Sequence, residues 1–279
     1  MSVVVLTGAT AGIGRQAARQ LAEQGHTLIL VGRNATHGER LARDTNGMFV
    51  RADISTMDGV VRVADRVRQT TDHVDVLINN AGVMTPRREV TAEGFELNFA
   101  VHHLAPFSLT GQLLPLLRHG EGRVVNVNSE GHRAPLRGSG PVLIPFDDLQ
   151  SSRAFNTFLV YSNTKLANLL FTYELHRRHP ELTVVALHPG MVRTDLGRSF
   201  PRALVAVMGA LSLSPSQGAR PVVHLATAPD VVGGGYYNRF THTDSSPASR
   251  DLQSAQRLWD VTERLRGPFA SVGRLRDNN

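Results

Sequence analysis

A chain of 279 residues, 41% of them hydrophobic, has the length of one large α/β domain and enough apolar surface for a sizeable core. It contains no cysteine, which excludes disulfides, thiolate metal sites and cysteine nucleophiles and suits a reducing cytoplasm. The net charge of +6 comes mostly from scattered arginines without a basic run or interleaved aromatics, so it speaks for solubility and an anionic cofactor, not for nucleic acid.

The chain opens with Val3-Val4-Val5-Leu6, a β-branched run that reads as a buried strand and leaves no room for a signal peptide. Thr7-Gly8-Ala9-Thr10-Ala11-Gly12-Ile13-Gly14 follows, then a good helix former from Arg15. Strand, glycine turn and helix form the context of a dinucleotide site: the helix N-terminus offers free N–H groups to a pyrophosphate, and the glycines let the backbone approach it. The spacing is Gly-x3-Gly-x-Gly, and no Gly-Lys-Ser/Thr follows, which excludes a P-loop.

Thr27 to Val31 is the second predicted strand and ends in Gly32-Arg33-Asn34. An acidic residue here would bind the ribose hydroxyl of NAD, whereas an arginine accommodates the 2′-phosphate of NADP. Arg33 therefore predicts NADP(H), with Arg15 as a second positive charge. A third strand at Met48 to Val50 delivers Asp53, placed to accept a hydrogen bond from an adenine amine. Its alternative role is a helix cap, for which Ser55 is better suited.

Strand four, Val74 to Ile78, exits through Asn79-Asn80-Ala81-Gly82, which puts amides and bare backbone against a ribose. Strand five, Arg123 to Ser129, presents Ser129 where it can hold a carbonyl oxygen. Next comes a helical stretch with Tyr161 and Lys165, whose spacing puts both side chains on one face. An ammonium beside a phenol favours the phenolate, so the tyrosine can exchange a proton at physiological pH. Strand six, Thr183 to Leu187, exits through Pro189-Gly190 toward Val192 and Thr194. Alternating strands and helices predict one domain over residues 1–279: an α/β, Rossmann-type, doubly wound parallel sheet with helices on both faces. The tail from about 268 is expected to fray.

In this order the motifs resemble the short-chain dehydrogenase/reductase family over about residues 3–240. Phe146-Asp147-Asp148-Leu149, Ser162-Asn163-Thr164-Lys165-Leu166-Ala167-Asn168 and Gly235-Tyr236-Tyr237 resemble its retinol-dehydrogenase-like branch. The resemblance implies Tyr161 as general acid or base, Lys165 as its partner and ribose ligand, and Ser129 as the group that orients the carbonyl. It implies cofactor contacts from Gly8, Thr10, Gly12, Ile13, Gly14, Arg33, Asp53, Ile54, Asn80, Ala81, Gly82, Pro189, Val192 and Thr194.

One departure stands out. Where the family places an asparagine in a Val-Asn-His-Leu-x-x-Phe pattern, this chain reads Val101-His102-His103-Leu104-Ala105-Pro106-Phe107; Asn98 lies one turn earlier. The family's asparagine helps hold a water behind Lys165. His102 would hold that water by a ring nitrogen or relay the proton itself, or else catalysis is impaired or the reaction altered. Impairment would leave an NADP(H)-binding regulator or scaffold, the alternative to an enzyme.

The apolar segment from about 195 to 218 is expected to cover the substrate, favouring a hydrophobic ketone, aldehyde or alcohol; its run from Ala203 to Leu213 is too short to span a bilayer. The segment from Arg133 to Asp148 would be the other wall. The helix of Tyr161 carries a polar line at 161, 165, 168 and 172 and is otherwise apolar, as suits a core helix or the interface of a homodimer or homotetramer. Twelve histidines include no His-Glu-x2-His motif, and His102 and His103 face different sides, so no metal site is expected.

Overall fold

A computed structural model describes residues 1–119, 122–135, 138, 140–193 and 212–269. The order begins β1 (Val3–Thr7), α1 (Gly12–Glu23), β2 (Thr27–Gly32), α2 (Ala35–Thr45), β3 (Met48–Arg51), α3 (Met57–Arg68) and β4 (Val76–Asn79). A short α4 (Leu97–Phe99) passes through a π-helical turn (Ala100–Leu104) into α5 (Ala105–His119), then β5 (Arg123–Val127), α6 (Thr157–Arg178) and β6 (Thr183–His188). α7 (Pro215–Thr227), β7 (Tyr236–Asn238), β8 (Thr241–Thr243) and α8 (Leu252–Arg266) follow, with single helical turns at Glu130–His132 and Pro247–Arg250. Thr194 and most of the expected substrate cover, 195–211, lie outside the described residues, as does the tail from 270.

The strands form one sheet in the order β3-β2-β1-β4-β5-β6-β7-β8. All pairs are parallel except β7 with β8. The order reverses between β1 and β4, and the crevice at the carboxyl ends of those two strands is where such sheets bind ligands. The predicted doubly wound sheet is therefore present. Runs of β-branched residues make its centre: Val4, Leu6, Val76, Ile78, Val125 and Val185 pack on one face against α1 and α7. Val5, Ile29, Leu77, Val124 and Val184 pack on the other against α3, α5 and α6. Such continuous runs are expected of parallel strands buried on both faces. Arg123, at the start of β5, donates to the carbonyls of Leu225 and Ala228 at 2.9 and 2.8 Å and so caps the C-terminus of α7 with a cation.

α6 is the spine of the site. Asn156 starts it by accepting the N–H groups of Phe158 and Leu159. Its apolar surface is covered from within the chain: Leu166, Ala167 and Leu170 pack with Ala255 and Leu258 of α8 and with Val142, Ile144 and Phe146. Arg178 lies 4.5 Å from the Trp259 ring centroid. The segment from Arg133 to Asp148, expected beside the substrate, thus sends its second half against the outer side of α6. Among the described residues no helix is long and apolar enough to cross a membrane.

Candidate active site

At the exit of β1 the chain turns through Gly8 (φ 67°) and Gly12 (φ 51°), both left-handed. A Cβ on Gly8 would lie 2.7 Å from Ala81 Cα, and one on Gly14 would lie 2.3 Å from Gly8 O, so neither place admits a side chain. Thr7 and Asn80 lock the turn to β4. Thr7 Oγ1 accepts the N–H groups of Asn80 and Ala81 at 3.0 and 3.1 Å, and Asn80 Nδ2 donates to Thr7 O at 2.9 Å. Thr10 lies against Gly32, where a Cβ would come 2.6 Å from Thr10 Cγ2. Ile13 packs against the core cluster beneath α1.

The N-terminus of α1 differs from those of α2, α3, α6, α7 and α8. Asn34, Thr56, Asn156, Ser214 and Asp251 cap α2, α3, α6, α7 and α8 with side-chain oxygens. α1 starts at Ala11 with no side-chain cap and no acidic residue in its first turn. Its leading N–H groups are left for an outside acceptor, with the positive end of the helix dipole behind them. A collar with no room for side chains and an uncapped helix end fit the diphosphate of a dinucleotide.

At the adenine end, Arg33 Nη1 and Asp53 Oδ2 stand 3.7 Å apart, with both side chains about half exposed. A pair so open to solvent is weak and readily gives up its arginine to a phosphate. Asp53 Oδ1 accepts the Ser55 N–H at 3.0 Å. The cap of α3 is neither Asp53 nor Ser55 but Thr56, whose Oγ1 accepts the Gly59 N–H at 3.2 Å. Ile54 is buried in the core.

Ser129, Tyr161 and Lys165 converge beyond the carboxyl ends of β4, β5 and β6. Their exposures are 8%, 4% and 6%. A methyl group on Gly131 would sit 3.4 Å from both Ser129 Oγ and Tyr161 Cε1. Lys165 Nζ donates to Val127 O at 3.0 Å and lies 5.7 Å from the Tyr161 ring centroid. In the chain without cofactor, burial dominates both titrations. It pushes the Tyr161 phenol up to about 12 against the opposing hydrogen bond to Ser129, and it brings the Lys165 amine down to about 7. The expected depression of Tyr161 by Lys165 is therefore not a property of the chain alone: a lysine this buried is itself half discharged near neutrality.

The polar line of α6 meets two asparagines of the β5 strand and its exit. Asn126 Nδ2 donates to Thr172 Oγ1 at 2.9 Å, and Asn128 Nδ2 donates to Asn168 Oδ1 and to Lys165 O at 2.7 and 3.0 Å. Asn79 Nδ2 donates to Asn126 Oδ1 at 2.9 Å. Asn126, Asn128 and Thr172 escaped the sequence reading as site residues. Their signal is the period of two in Val125-Asn126-Val127-Asn128, polar side chains on one face of a buried strand.

His102 does not act as expected. Its Nε2 accepts the Val83 N–H at 3.1 Å, and its Nδ1 pairs with Thr164 Oγ1 at 2.9 Å. An N–H donor at Nε2 leaves the proton on Nδ1, so the ring is neutral with both nitrogens engaged. Neither is free to hold a water or to relay a proton. Burial and then the charge of Lys165 hold its pKa well below the ordinary value, which keeps the ring neutral. Thr164 passes the contact on to Tyr161 O at 2.8 Å, and Asn168 Nδ2 donates to His102 O at 3.0 Å. The imidazole thus ties the exit of β4 to α6. Asn98, by contrast, bonds Thr85 and Glu96 at the start of α4. His103 faces the other way and pairs with Thr262 of α8. No group of three potential metal ligands occurs among the described residues.

Gly82 follows Ala81 on the exposed rim of the β4 exit. Pro189 is buried at the exit of β6, and Gly190 (φ 96°) turns the chain beside Leu213. Val192 bridges to Leu213 and fills the space that a side chain on Gly218 would take. Thr194 lies outside the described residues.

This architecture, a doubly wound sheet with a glycine collar at its switch point and a buried Ser-Tyr-Lys set at the same edge, defines a dinucleotide-dependent oxidoreductase class. The sequence profile of "short chain dehydrogenase" matches residues 2–140. The chain is 36% identical to human retinol dehydrogenase 13, over 95% of this chain and 84% of that protein. It is 35% identical to mouse retinol dehydrogenase 14, over 95% and 85%. Among solved structures, an uncharacterized protein from Mycobacterium paratuberculosis is 32% identical with a TM-score of 0.77, covering 95% of this chain and 93% of that one. An alcohol dehydrogenase from the archaeon Thermococcus sibiricus, complexed with 5-hydroxy-NADP, shares the fold at a TM-score of 0.66 and 23% identity, covering 90% and 99%. The chain belongs to the short-chain dehydrogenase/reductase family, in its retinol-dehydrogenase-like branch.

The Lys165 burial has a measurable consequence. Its folded-state pKa lies below the unfolded value, so between pH 7 and 10.5 the unfolded chain binds the extra proton and stability rises with pH across that window. Urea unfolding of the cofactor-free protein at about pH 7 and about pH 9 should show wild type gaining stability relative to Lys165→Met. A constant difference between the two proteins would contradict it.

Proposed function

We propose that the chain is an NADP(H)-dependent oxidoreductase that interconverts a ketone or aldehyde and an alcohol on a hydrophobic small molecule. The observation that carries this reading is the convergence of Ser129, Tyr161 and Lys165 at the carboxyl edge of the sheet, beside an uncapped α1 and the glycine collar. The dinucleotide would be held by Gly8, Gly12 and Gly14 with the N-terminus of α1, by Asn80 to Gly82, and by Pro189, Val192 and Thr194. When bound, its nicotinamide supplies or accepts the hydride.

The chain's own residues handle the oxygen. Ser129 Oγ donates to the substrate carbonyl and fixes its orientation. Tyr161 donates a proton to that oxygen in reduction and takes it back in oxidation. A phenol held near 12 stays protonated and is ready to donate; in oxidation a cation beside it must bring it down. Lys165 supplies that cation. The negative charge of a bound dinucleotide would favour the charged amine over the discharged form that burial alone prefers. His102 serves this set as a neutral tie between the β4 exit and α6, an arrangement that favours an active enzyme over a vestigial binder.

Arg33 supports NADP(H) over NAD(H), because no carboxylate occupies the end of β2 and the Asp53 pair is weak enough to release. The retinol dehydrogenases are named for an apolar alcohol, which supports a hydrophobic substrate.

Turnover of apolar aldehydes and ketones with NADPH, followed at 340 nm, tests the reading. Tyr161→Phe should lower kcat by about two to four orders of magnitude while leaving NADPH binding intact. Equal turnover in the variant would overturn the assignment. Arg33→Ala should weaken NADPH about tenfold or more and leave NADH nearly unchanged, since only the 2′-phosphate contact is lost. An equal loss for both nucleotides would contradict NADP(H) preference.

A further inference from the structure

Ser129 is gripped from behind by a second histidine. His132 Nδ1 donates to the Ser129 carbonyl at 2.7 Å. Its Nε2 accepts the N–H of Ser246, beyond β8, at 3.2 Å. A carbonyl facing one nitrogen and an N–H facing the other admit one tautomer, neutral with the proton on Nδ1. The ring is 0% exposed and meets Tyr236 edge-on with centroids 4.8 Å apart.

Two further links run beside it. The Tyr236 hydroxyl donates to Glu130 Oε1 at 2.7 Å. Arg133 donates to Glu130 Oε2 at 2.6 Å and also to the Asp244 carbonyl. The turn from Ser129 to Arg133 is thereby fixed to β7 and to the segment 244–246. The same turn aims the serine hydroxyl: Ser129 Oγ accepts the Gly131 N–H at 3.1 Å, and Gly131 lies under both Ser129 Oγ and Tyr161. The Ser129 carbonyl belongs to the peptide that precedes the one presenting the Gly131 N–H, so displacing it shifts that N–H relative to Oγ.

We infer that His132 is a positioning residue for Ser129, setting the serine hydroxyl against Tyr161 by anchoring the 129–133 turn to the segment beyond β8. The inference rests on the reading of Ser129 as the carbonyl-orienting group. It goes beyond that reading in making the remote hairpin of β7 and β8 part of the apparatus that aims the serine.

Two half-replacements separate the bonds. In His132→Asn an amide nitrogen falls near the place of Nδ1 and keeps the bond to Ser129. In His132→Gln the amide reaches the place of Nε2 and keeps the bond to Ser246 while losing the other. The Gln variant should lose about tenfold to a hundredfold in kcat with KM for the carbonyl substrate nearly unchanged, and the Asn variant should stay within about threefold of wild type. Equal losses in both, or losses that simply track melting temperature, would overturn the inference. Hydrogen exchange at the Gly131 amide gives a readout that needs no turnover. Protection should persist in the Asn variant and fall in the Gln variant, and equal protection in the two would overturn the positioning role. If wild type turns over no carbonyl substrate, the oxidoreductase reading fails and the exchange experiment still decides on the clamp.

Discussion

The buried amide contact between β5 and α6 is the constraint on which the site depends. Asn126 and Asn128 project from the β5 strand and its exit and meet Thr172, Asn168 and the Lys165 carbonyl of α6. These groups lie in the core, where an unpaired amide costs about 1–3 kcal/mol, so the helix has one register in which every partner is met. A register shift of one residue would turn Tyr161 and Lys165 away from the cofactor edge and leave several amides orphaned. Apolar packing alone would not choose between such registers, because α6 is apolar on most of its remaining surface and is covered by α8 and the 142–146 segment. Polar pairing sets position, and the apolar contacts supply the bulk of the stabilisation.

The same principle extends in two directions from the pair. Asn168 reaches the His102 carbonyl, and His102 reaches Val83 and Thr164, so the exit of β4 is tied to α6. Asn128 Oδ1 accepts the Ser129 N–H at 2.7 Å, and His132 takes the Ser129 carbonyl, so the exit of β5 is tied as well. The π-helical turn at Ala100–Leu104 belongs to this design. The His102 carbonyl that accepts Asn168 Nδ2 lies within it. At the far end, Thr7 and Asn80 perform the corresponding work between β1 and β4, holding the glycine collar open beneath an uncapped helix.

Much of this could be read from the sequence, because each readable part is local. Val3 to Leu6 followed by the glycine spacing defines a strand, a turn and a helix within a score of residues, and Tyr161 and Lys165 share one face of one helix. The unread parts are long-range. His102 looked like a water ligand because only the fold brings Val83 and Thr164 to its two nitrogens. Asn126 and Asn128 looked like strand residues because Asn168 and Thr172 lie 40 and 46 positions away. β7 and β8, three residues each, are too short to show a period, so the anchor for His132 could not be seen either. The expected pull of Lys165 on Tyr161 is not seen in the chain alone, because burial raises the phenol and lowers the amine, and neither shift can be read from their spacing.

The Asn128–Asn168 pair is the contact proposed to hold Tyr161 and Lys165 in place, and a double-mutant cycle on it is the most direct test. Turnover would be measured for Asn128→Ala, Asn168→Ala and the double variant, each checked for folding by circular dichroism. If the two amides act as a unit, the double variant should be about as slow as the slower single variant, with coupling on the order of 1 kcal/mol or more. Losses that multiply independently would contradict the claim that this pairing sets the position of Tyr161 and Lys165.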